Sequence, residues 1–269
     1  MNISILGCGW LGLPLAKSLL SKGHIIKGSS TSRDKLQQLT SEGISPYVIQ
    51  LFEEGIQGDI SAFLSDAEVL IIDIPPGVRK DPEVNFVGKI GRLSSQIERS
   101  GVKKVIFISA TSVYEDMDSL PVYSEEDLAN GTAENSKQLK GAEEILKNSE
   151  AFETSIIRFG GLIGPGRHPV NYLSGKIDLK DAEGPVNLIH LEDCIGIIEA
   201  TIEKEAWPYT FNAVAPDHPT RKDYYSKIAE EKGLASMTFD NNLVSKGKVI
   251  SSKELQKKLR YEFLHDIWH

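Results

Sequence analysis

Short apolar runs alternate along the chain with longer segments in which apolar residues recur at helical spacing. The short runs predict buried strands at 2–6, 24–28, 46–50, 67–74, 103–108 and 154–159. The segments between them predict helices at 10–21, 32–40, 84–100 and 133–148. Near-continuous apolar strands separated by amphipathic helices are typical of a parallel sheet covered on both faces. The pattern therefore predicts an α/β fold built on a doubly wound parallel sheet.

The alternation becomes less regular after Gly160, where loops rich in glycine and proline begin. Further strands are predicted at 186–190 and 210–213, and further helices at 191–202, 220–232 and 252–259. We therefore expect a main domain over residues 1–163 and a smaller C-terminal part over residues 164–269. The two are expected to interleave, because the strand near Thr210 can rejoin the main sheet.

The composition, with 40% apolar and 25% charged residues, is that of an ordinary globular protein. A formal net charge of −8 disfavours nucleic acid and anionic membranes as partners, because no overall positive field attracts phosphate groups. Two distant cysteines form no disulfide framework, and six scattered histidines predict no metal site. The chain is thus expected to be cytoplasmic and to act on a small molecule, without membrane or nucleic-acid partners.

The first strand runs into a G-x-G-x-x-G sequence made of Gly7, Cys8, Gly9, Trp10, Leu11 and Gly12. In a strand–turn–helix context this motif binds a dinucleotide pyrophosphate at the helix N-terminus. Gly7 allows the tight turn, Gly9 lets the backbone approach the pyrophosphate, and Gly12 lets helix and strand pack closely. The alternative is a tight turn without a ligand, but the context favours dinucleotide binding.

The end of the second strand indicates which dinucleotide is bound. NAD-binding proteins carry an acidic residue there, which accepts a hydrogen bond from the ribose 2′-hydroxyl. Here Thr31, Ser32 and Arg33 follow the strand, and Asp34 comes only later, in the predicted helix. Hydroxyl groups followed by an arginine suit a 2′-phosphate. We therefore favour NADP over NAD, although Ser32 can also be a simple helix cap and Arg33 a solvated residue.

Several segments together resemble the extended and atypical short-chain dehydrogenase/reductases, the NAD-dependent epimerase/dehydratase family. The segments that carry the resemblance are residues 7–12, 108–114, 158–167, 187–193 and 211–214. The resemblance implies a Rossmann domain with a smaller C-terminal substrate-binding part. It also implies that Pro75 and Pro76 flank the adenosine side of the cofactor and that Ser109, Ala110 and Thr111 face the nicotinamide.

The catalytic half of the resemblance is incomplete. Members of the family use a tyrosine base four residues before a lysine, on the helix after the fifth strand. At those positions this chain has Asn135 and Leu139, and Ala110 stands at the family's Ser/Thr position. Tyr172, with Lys176, is the one tyrosine followed by a lysine at this spacing, but the pair falls in a predicted loop. Candidate catalytic residues are therefore Thr111 and the displaced Tyr172–Lys176 pair; a substrate-loop aromatic is the alternative for Tyr172.

Three functions remain open at this point. The first is an NAD(P)-dependent, epimerase/dehydratase-like oxidoreductase that acts on a small, sugar-derived or phosphorylated substrate. The second is a non-catalytic sensor of NADP(H) that lacks the Tyr–Lys pair. The third is an isomerase or dehydratase with a rearranged base. The resemblance is also compatible with a homodimer formed through helices 84–100 and 133–148.

Five other residues have side chains capable of chemistry. Cys8, near a helix N-terminus, is either an activated thiol or a small residue that fits beneath a cofactor. His190 with Asp193 supplies too few ligands for a metal ion and resembles a structural motif of the family. Arg167, after a Gly-Pro-Gly sequence, is either a ligand for an anionic substrate group or a surface residue. Tyr114 is expected to be a packed tyrosine.

Overall fold

A computed structural model describes residues 1–78 and 81–268. Its strands are β1 (Asn2–Leu6), β2 (Ile25–Ser30), β3 (Ser45–Val48), β4 (Gln50–Leu51), β5 (Ile56–Gln57), β6 (Val69–Ile72), β7 (Lys104–Ala110), β8 (Val122–Tyr123), β9 (Glu153–Phe159), β10 (Gly161–Ile163), β11 (Leu188–His190), β12 (Thr210–Ala213) and β13 (Val249–Ile250). Its α-helices are α1 (Gly12–Ser21), α2 (Leu36–Ser41), α3 (Ile60–Leu64), α4 (Phe86–Arg99), α5 (Glu134–Lys147), α6 (Val170–Leu173), α7 (Leu191–Glu203), α8 (Arg221–Glu231) and α9 (Lys253–Leu259). Among the described helices, none is both long and apolar enough to cross a membrane.

The predicted doubly wound sheet is confirmed. Within the described residues, seven strands form one mostly parallel sheet in the order β3-β2-β1-β6-β7-β9-β12. β1 lies between β2 and β6, with Ile5 opposite Gly28 on one side and Ile71 on the other. From β1 the chain first forms β2 and β3 on one side. It then crosses to the other side of β1 and forms β6, β7, β9 and β12 there in turn. In such sheets, ligands bind outside the carboxyl ends of the strands at this point of reversal.

The chain divides into two compact units, of which the first contains most of the sheet. It comprises Met1–Ala110, Ala133–Ile157 and Ile198–Thr210. Its strands are apolar on both faces, and Leu70 and Phe107 are completely buried. This burial explains the near-continuous apolar runs of the sequence, because a parallel sheet is covered on both sides.

The second unit comprises Thr111–Thr132, Arg158–Ile197 and Phe211–His269. A division after residue 163, as expected from the sequence, remains a prediction. The second unit has an apolar core of its own, in which the completely buried Tyr224 packs edge-to-face against Tyr225 and Trp268. The Tyr224 hydroxyl donates to the carbonyl oxygen of Ile267 at 2.7 Å. The core therefore includes residues close to the end of the described chain.

A half-buried histidine extends this arrangement. His168 Nδ1 accepts from the backbone N–H of Val170 at 3.1 Å, and its Nε2 lies 2.9 Å from the Tyr224 hydroxyl. Burial, with a smaller effect of Lys232, lowers the pKa of His168 from 6.5 to about 4. Both bonds fit a neutral ring that donates from Nε2, so the fold favours the neutral imidazole.

His168 should therefore make the protein sensitive to mild acid. Its folded-state pKa lies below the unfolded value, so its contribution to stability is complete above pH 6.5 and is lost as the pH falls through about 4. As the pH falls from 6.5 to about 4, the free energy of unfolding of the parent protein should fall towards that of His168→Gln, since glutamine does not titrate. Urea denaturation at several pH values measures the difference. A difference that does not change with pH would contradict this role of His168.

Candidate dinucleotide-binding site

The turn after β1 packs tightly against the end of β6. Gly7 has a φ of 109°, and a Cβ added to it would lie within 3.0 Å of the backbone oxygen of Asp73. A Cβ on Gly12 would lie equally close to the backbone oxygen of Gly7. Real Cβ atoms do not approach so closely, so both positions require glycine. The backbone alone therefore fixes the path of the turn into α1.

Gly9 differs from Gly7 and Gly12, because a Cβ added to Gly9 would meet nothing within 4 Å. Gly9 is exposed, and its N–H donates to the Gly7 carbonyl at 2.8 Å. In the described residues, the N-cap residue Leu11 makes no side-chain capping hydrogen bond, and the first turn of α1 itself has no acidic residue. The Asp73 carboxylate lies on the far side of the turn, where a Cβ added to Gly12 would be 3.2 Å from its Oδ2. This helix end thus presents its positive pole beside open space, an arrangement that fits a pyrophosphate group.

The two residues between these glycines have different surroundings. Trp10 is half-buried, whereas Leu11 is 3% exposed and forms part of the core. Leu11 therefore offers a ligand its backbone rather than its side chain.

The residues that follow β2 are polar and carry no acid before Asp34. Thr31 and Arg33 are exposed, and Ser32 is half-buried. Ser32 Oγ accepts from the Asp34 N–H at 3.3 Å and so caps the 3-10 turn Arg33–Lys35. The capping role considered for Ser32 is thus present, while its hydroxyl proton remains a donor. Ser29 Oγ accepts from the Gly7 N–H at 3.0 Å, which ties the end of β2 to the glycine turn.

Cys8 packs under the turn as a neutral thiol. It is buried, and a Cβ added to Gly28 would lie 2.6 Å from its Sγ. Burial, the largest effect, raises the pKa of the Cys8 thiol to about 12 despite a hydrogen bond with the Ser29 backbone. The structure therefore favours the interpretation of Cys8 as a small packing residue.

This environment should make Cys8 unreactive in the folded protein. Iodoacetamide attacks thiolates, and a buried thiol with a pKa of about 12 supplies almost none at mildly alkaline pH. Because folding raises this pKa from 9.0, the associated stability is complete below pH 9 and is lost as the pH rises through about 12. Mass spectrometry should find Cys8 unmodified in native protein and alkylated in urea. Rapid labelling of native Cys8 would show that the thiol is activated.

Residues at the ends of β6 and β7 border the same edge of the sheet. Pro75 is exposed and Pro76 is half-buried. Ser109 Oγ donates to Glu143 Oε1 at 2.6 Å, and both side chains are buried. Ala110 is half-buried and ends β7. Sequence reasoning missed Glu143 as the partner of Ser109; an acidic residue on the buried face of an amphipathic helix is the signal that could have identified it.

The three candidate catalytic residues lie in the second unit. Thr111 is buried and begins a 3-10 turn. Tyr172 is 77% exposed on the short helix α6, and Lys176 is also exposed. No hydrogen bond joins the Tyr172 hydroxyl to the Lys176 amino group in the described part of the chain. Their catalytic role therefore remains a prediction.

The helix expected to carry the family's tyrosine and lysine is α5. Asn135 is half-buried in its first turn, and Leu139 is 3% exposed. Leu139 therefore belongs to the apolar face of α5. These positions offer neither the phenol nor the ammonium group that the family uses.

Tyr114, by contrast, is a packed tyrosine, as expected. It is 1% exposed, and its hydroxyl donates to the Ser124 carbonyl at 2.9 Å. Arg158 donates to the same hydroxyl at 2.7 Å and lies over the ring, while Lys248 donates to the Tyr114 carbonyl. Burial, opposed by Arg158, raises the pKa of Tyr114, which disfavours a role as a base.

Comparisons with known proteins agree with this geometry. The family described as NAD(P)H-binding matches residues 7–186. Protein YeeZ of Escherichia coli is 33% identical over 265 residues, covering 97% of this chain and 95% of YeeZ.

Two solved structures share the fold at low identity. A UDP-glucuronic acid 4-epimerase from Bacillus cereus, in complex with NAD, is 18% identical with a TM-score of 0.82, covering 99% of this chain and 92% of that one.

The second solved structure is a human epimerase family protein with NADPH. It is 13% identical with a TM-score of 0.74, covering 98% of this chain and 95% of that one. The match to the NAD(P)H-binding family includes the glycine turn and the ends of β2, β6 and β7. The chain therefore belongs to the NAD(P)H-binding family, and it shares its fold with solved epimerase structures.

Proposed function

We propose that this protein binds NADP(H) and catalyses an epimerase/dehydratase-like oxidation or reduction of a small, sugar-derived or phosphorylated substrate. The observation that carries the proposal is the open space at Gly9, in the glycine turn at the N-terminus of α1. A pyrophosphate is an anion of the size and charge that such a helix end accepts.

The preference for NADP rests on the residues after β2. Thr31, Ser32 and Arg33 provide two hydroxyl groups and a guanidinium, and the carboxylate typical of NAD-binding proteins is missing before Asp34. An arginine can hold a phosphate through two parallel hydrogen bonds. NAD is the alternative, since solved structures of the same fold contain either cofactor.

The bound nicotinamide would supply or accept hydride. The chain's own part is to hold the pyrophosphate at Gly7–Gly12 and the adenosine side near Pro75 and Pro76. Ala110 and the Ser109–Glu143 pair would border the nicotinamide. Thr111 is proposed to hold the substrate oxygen, with Tyr172 and Lys176 as the displaced proton-transfer pair.

Arg167 is the proposed contact for an anionic substrate group. Its backbone N–H donates to the carbonyl of Gly164, and its carbonyl accepts from the Gly164 N–H, both at 3.0 Å. Gly164 and Gly166 have φ values of 147° and 70°, which glycine adopts readily. The exposed Arg167 side chain therefore extends from a tightly closed turn.

A non-catalytic NADP(H) sensor is the second candidate. It is favoured by Asn135 and Leu139 at the positions of the family's catalytic pair, and by Ala110 at its hydroxyl position. A sensor needs a selective cofactor site but no proton-transfer residues.

Two experiments test the proposal and separate the candidates. Calorimetry should find NADPH binding more tightly than NADH, and absence of binding by either nucleotide would refute both candidates.

Stopped-flow measurement of NADPH absorbance, with a panel of carbonyl compounds and sugar nucleotides, should detect hydride transfer. Tight NADPH binding without turnover would favour the sensor. If turnover occurs, unchanged activity in Tyr172→Phe would eliminate Tyr172 as the base.

A homodimer through α4 and α5 is also proposed. These helices pack closely within the first unit, where a Cβ added to Gly141 would lie 2.7 Å from a methyl group of Val87. Light scattering of the purified protein gives the oligomeric state directly.

A further inference from the structure

Three metal-ligating side chains come together in the second unit, namely His190, Glu192 and His265. One ligand atom of each lies within 4.8 Å of the others. The two imidazole rings are 4.0 Å apart between centroids, and His265 Nε2 lies 2.6 Å from Glu192 Oε2. Tetrahedral Zn²⁺, with bonds of about 2.0–2.2 Å, separates its ligand atoms by roughly 3.3–3.6 Å. Small side-chain rotations are therefore enough to place all three around one ion.

The backbone that carries two of these ligands is regular structure. His190 ends β11 and lies opposite Ile163 of β10. Glu192 lies in the first turn of α7, and its backbone N–H donates to His190 Nδ1 at 3.3 Å. Ligands on such elements are held more precisely than ligands on mobile loops.

Asp193 holds the third ligand in place. Its completely buried carboxylate accepts from the backbone N–H groups of Leu264 at 2.7 Å and His265 at 3.1 Å. It also accepts from the Tyr261 hydroxyl at 3.0 Å. A Cβ on Gly196 would lie 2.5 Å from that hydroxyl oxygen, so glycine at this position makes room for Tyr261 against α7. Asp193 is thus a support for His265 rather than a metal ligand.

We propose that His190, Glu192 and His265 bind one divalent transition-metal ion of the zinc class, which fastens the C-terminal segment, residues 261–268, to the start of α7. Two imidazole nitrogens and a carboxylate oxygen are a donor set that Zn²⁺ accepts, whereas Mg²⁺ prefers oxygen ligands. The Glu192 side chain is 62% exposed, which leaves an entry path and a fourth position for water. On binding, the proton between Glu192 and His265 leaves Nε2 for Nδ1 or for solvent, and the metal takes its place.

The test uses the full chain without a polyhistidine tag, because a tag would bind the same ions. Calorimetry and elemental analysis after gel filtration should find one Zn²⁺ per chain, and Zn²⁺ should raise the melting temperature. Co²⁺ should give the visible absorption bands of a four-coordinate site. Mg²⁺ should produce none of these effects.

Two variants test the assignment of ligands. Glu192→Gln and His265→Gln should each lower the Zn²⁺ affinity by at least about tenfold, since loss even of residues that only support metal ligands costs 10–100-fold. The matched controls are Glu262→Gln, an exposed acid in the same segment, and His24→Gln, in the first unit. Both controls should bind Zn²⁺ like the parent. Circular dichroism checks that each variant is folded. Failure of the parent to bind Zn²⁺ at micromolar concentration, or equal binding by folded ligand variants, would overturn the proposal.

Discussion

Gly9→Ala is expected to lower the affinity for NADPH by about tenfold or more, or about 1.4 kcal/mol, while the melting temperature stays unchanged. A Cβ at this position meets no protein atom within 4 Å, so the fold has no reason to respond. The same Cβ occupies the space that the proposed pyrophosphate needs beside the N-terminus of α1. Calorimetry with NADPH and a thermal melt measure the two quantities.

Two further glycines provide the controls for Gly9→Ala. Gly101→Ala also adds a Cβ that meets nothing within 4 Å, and it should change neither affinity nor stability. Gly12→Ala places its Cβ against the backbone oxygen of Gly7, so it should destabilise the protein by about 3 kcal/mol or more. Normal NADPH affinity in Gly9→Ala would contradict the proposed position of the pyrophosphate.

Arg33→Ala is expected to weaken NADPH binding by about 10–100-fold and to leave NADH binding nearly unchanged. A charged hydrogen bond contributes about 1.5–3 kcal/mol, and only NADPH carries the 2′-phosphate that the guanidinium would contact. Arg33 is exposed at the end of β2, so the substitution should not disturb the fold. Dissociation constants for both nucleotides, measured on the same preparation, give the ratio.

Arg99→Ala is the matched control, because Arg99 is an exposed arginine in the last turn of α4. It should leave both affinities unchanged. An equal loss of NADPH and NADH affinity in Arg33→Ala would mean that Arg33 contacts a group common to both nucleotides. No loss of either would leave Arg33 as the solvated residue considered from the sequence.

The main sheet was predictable because its strands are buried on both faces. The strand at 210–213 was predicted with its exact bounds, and the predicted helix 133–148 exceeds α5 by one residue at each end. The predicted helix 10–21 begins two residues later, since Trp10 and Leu11 belong to the glycine turn. The two-residue strands β4 and β5 and the five-residue helix α3 were missed, because none of the three is long enough to show its period in the sequence.

The glycine turn was easier to predict than the contacts that surround it, and its binding of a cofactor stays a prediction. The tight turn at Gly7 and the close packing at Gly12 follow from a spacing within six residues of sequence. Ser109 and Glu143 are 34 residues apart, and Glu192 and His265 are 73 apart. No local pattern connects such pairs, because the fold alone decides which distant segments meet.

The packing of Cys8 on Gly28 has a consequence for the evolution of this turn. A methyl group at position 28 would meet Cys8 Sγ at 2.6 Å and Ile44 Cγ2 at 2.7 Å. A relative that acquires a side chain at position 28 must therefore become smaller at positions 8 and 44. The three positions should covary among homologues, and each should tolerate mutation only in the background that the other two allow.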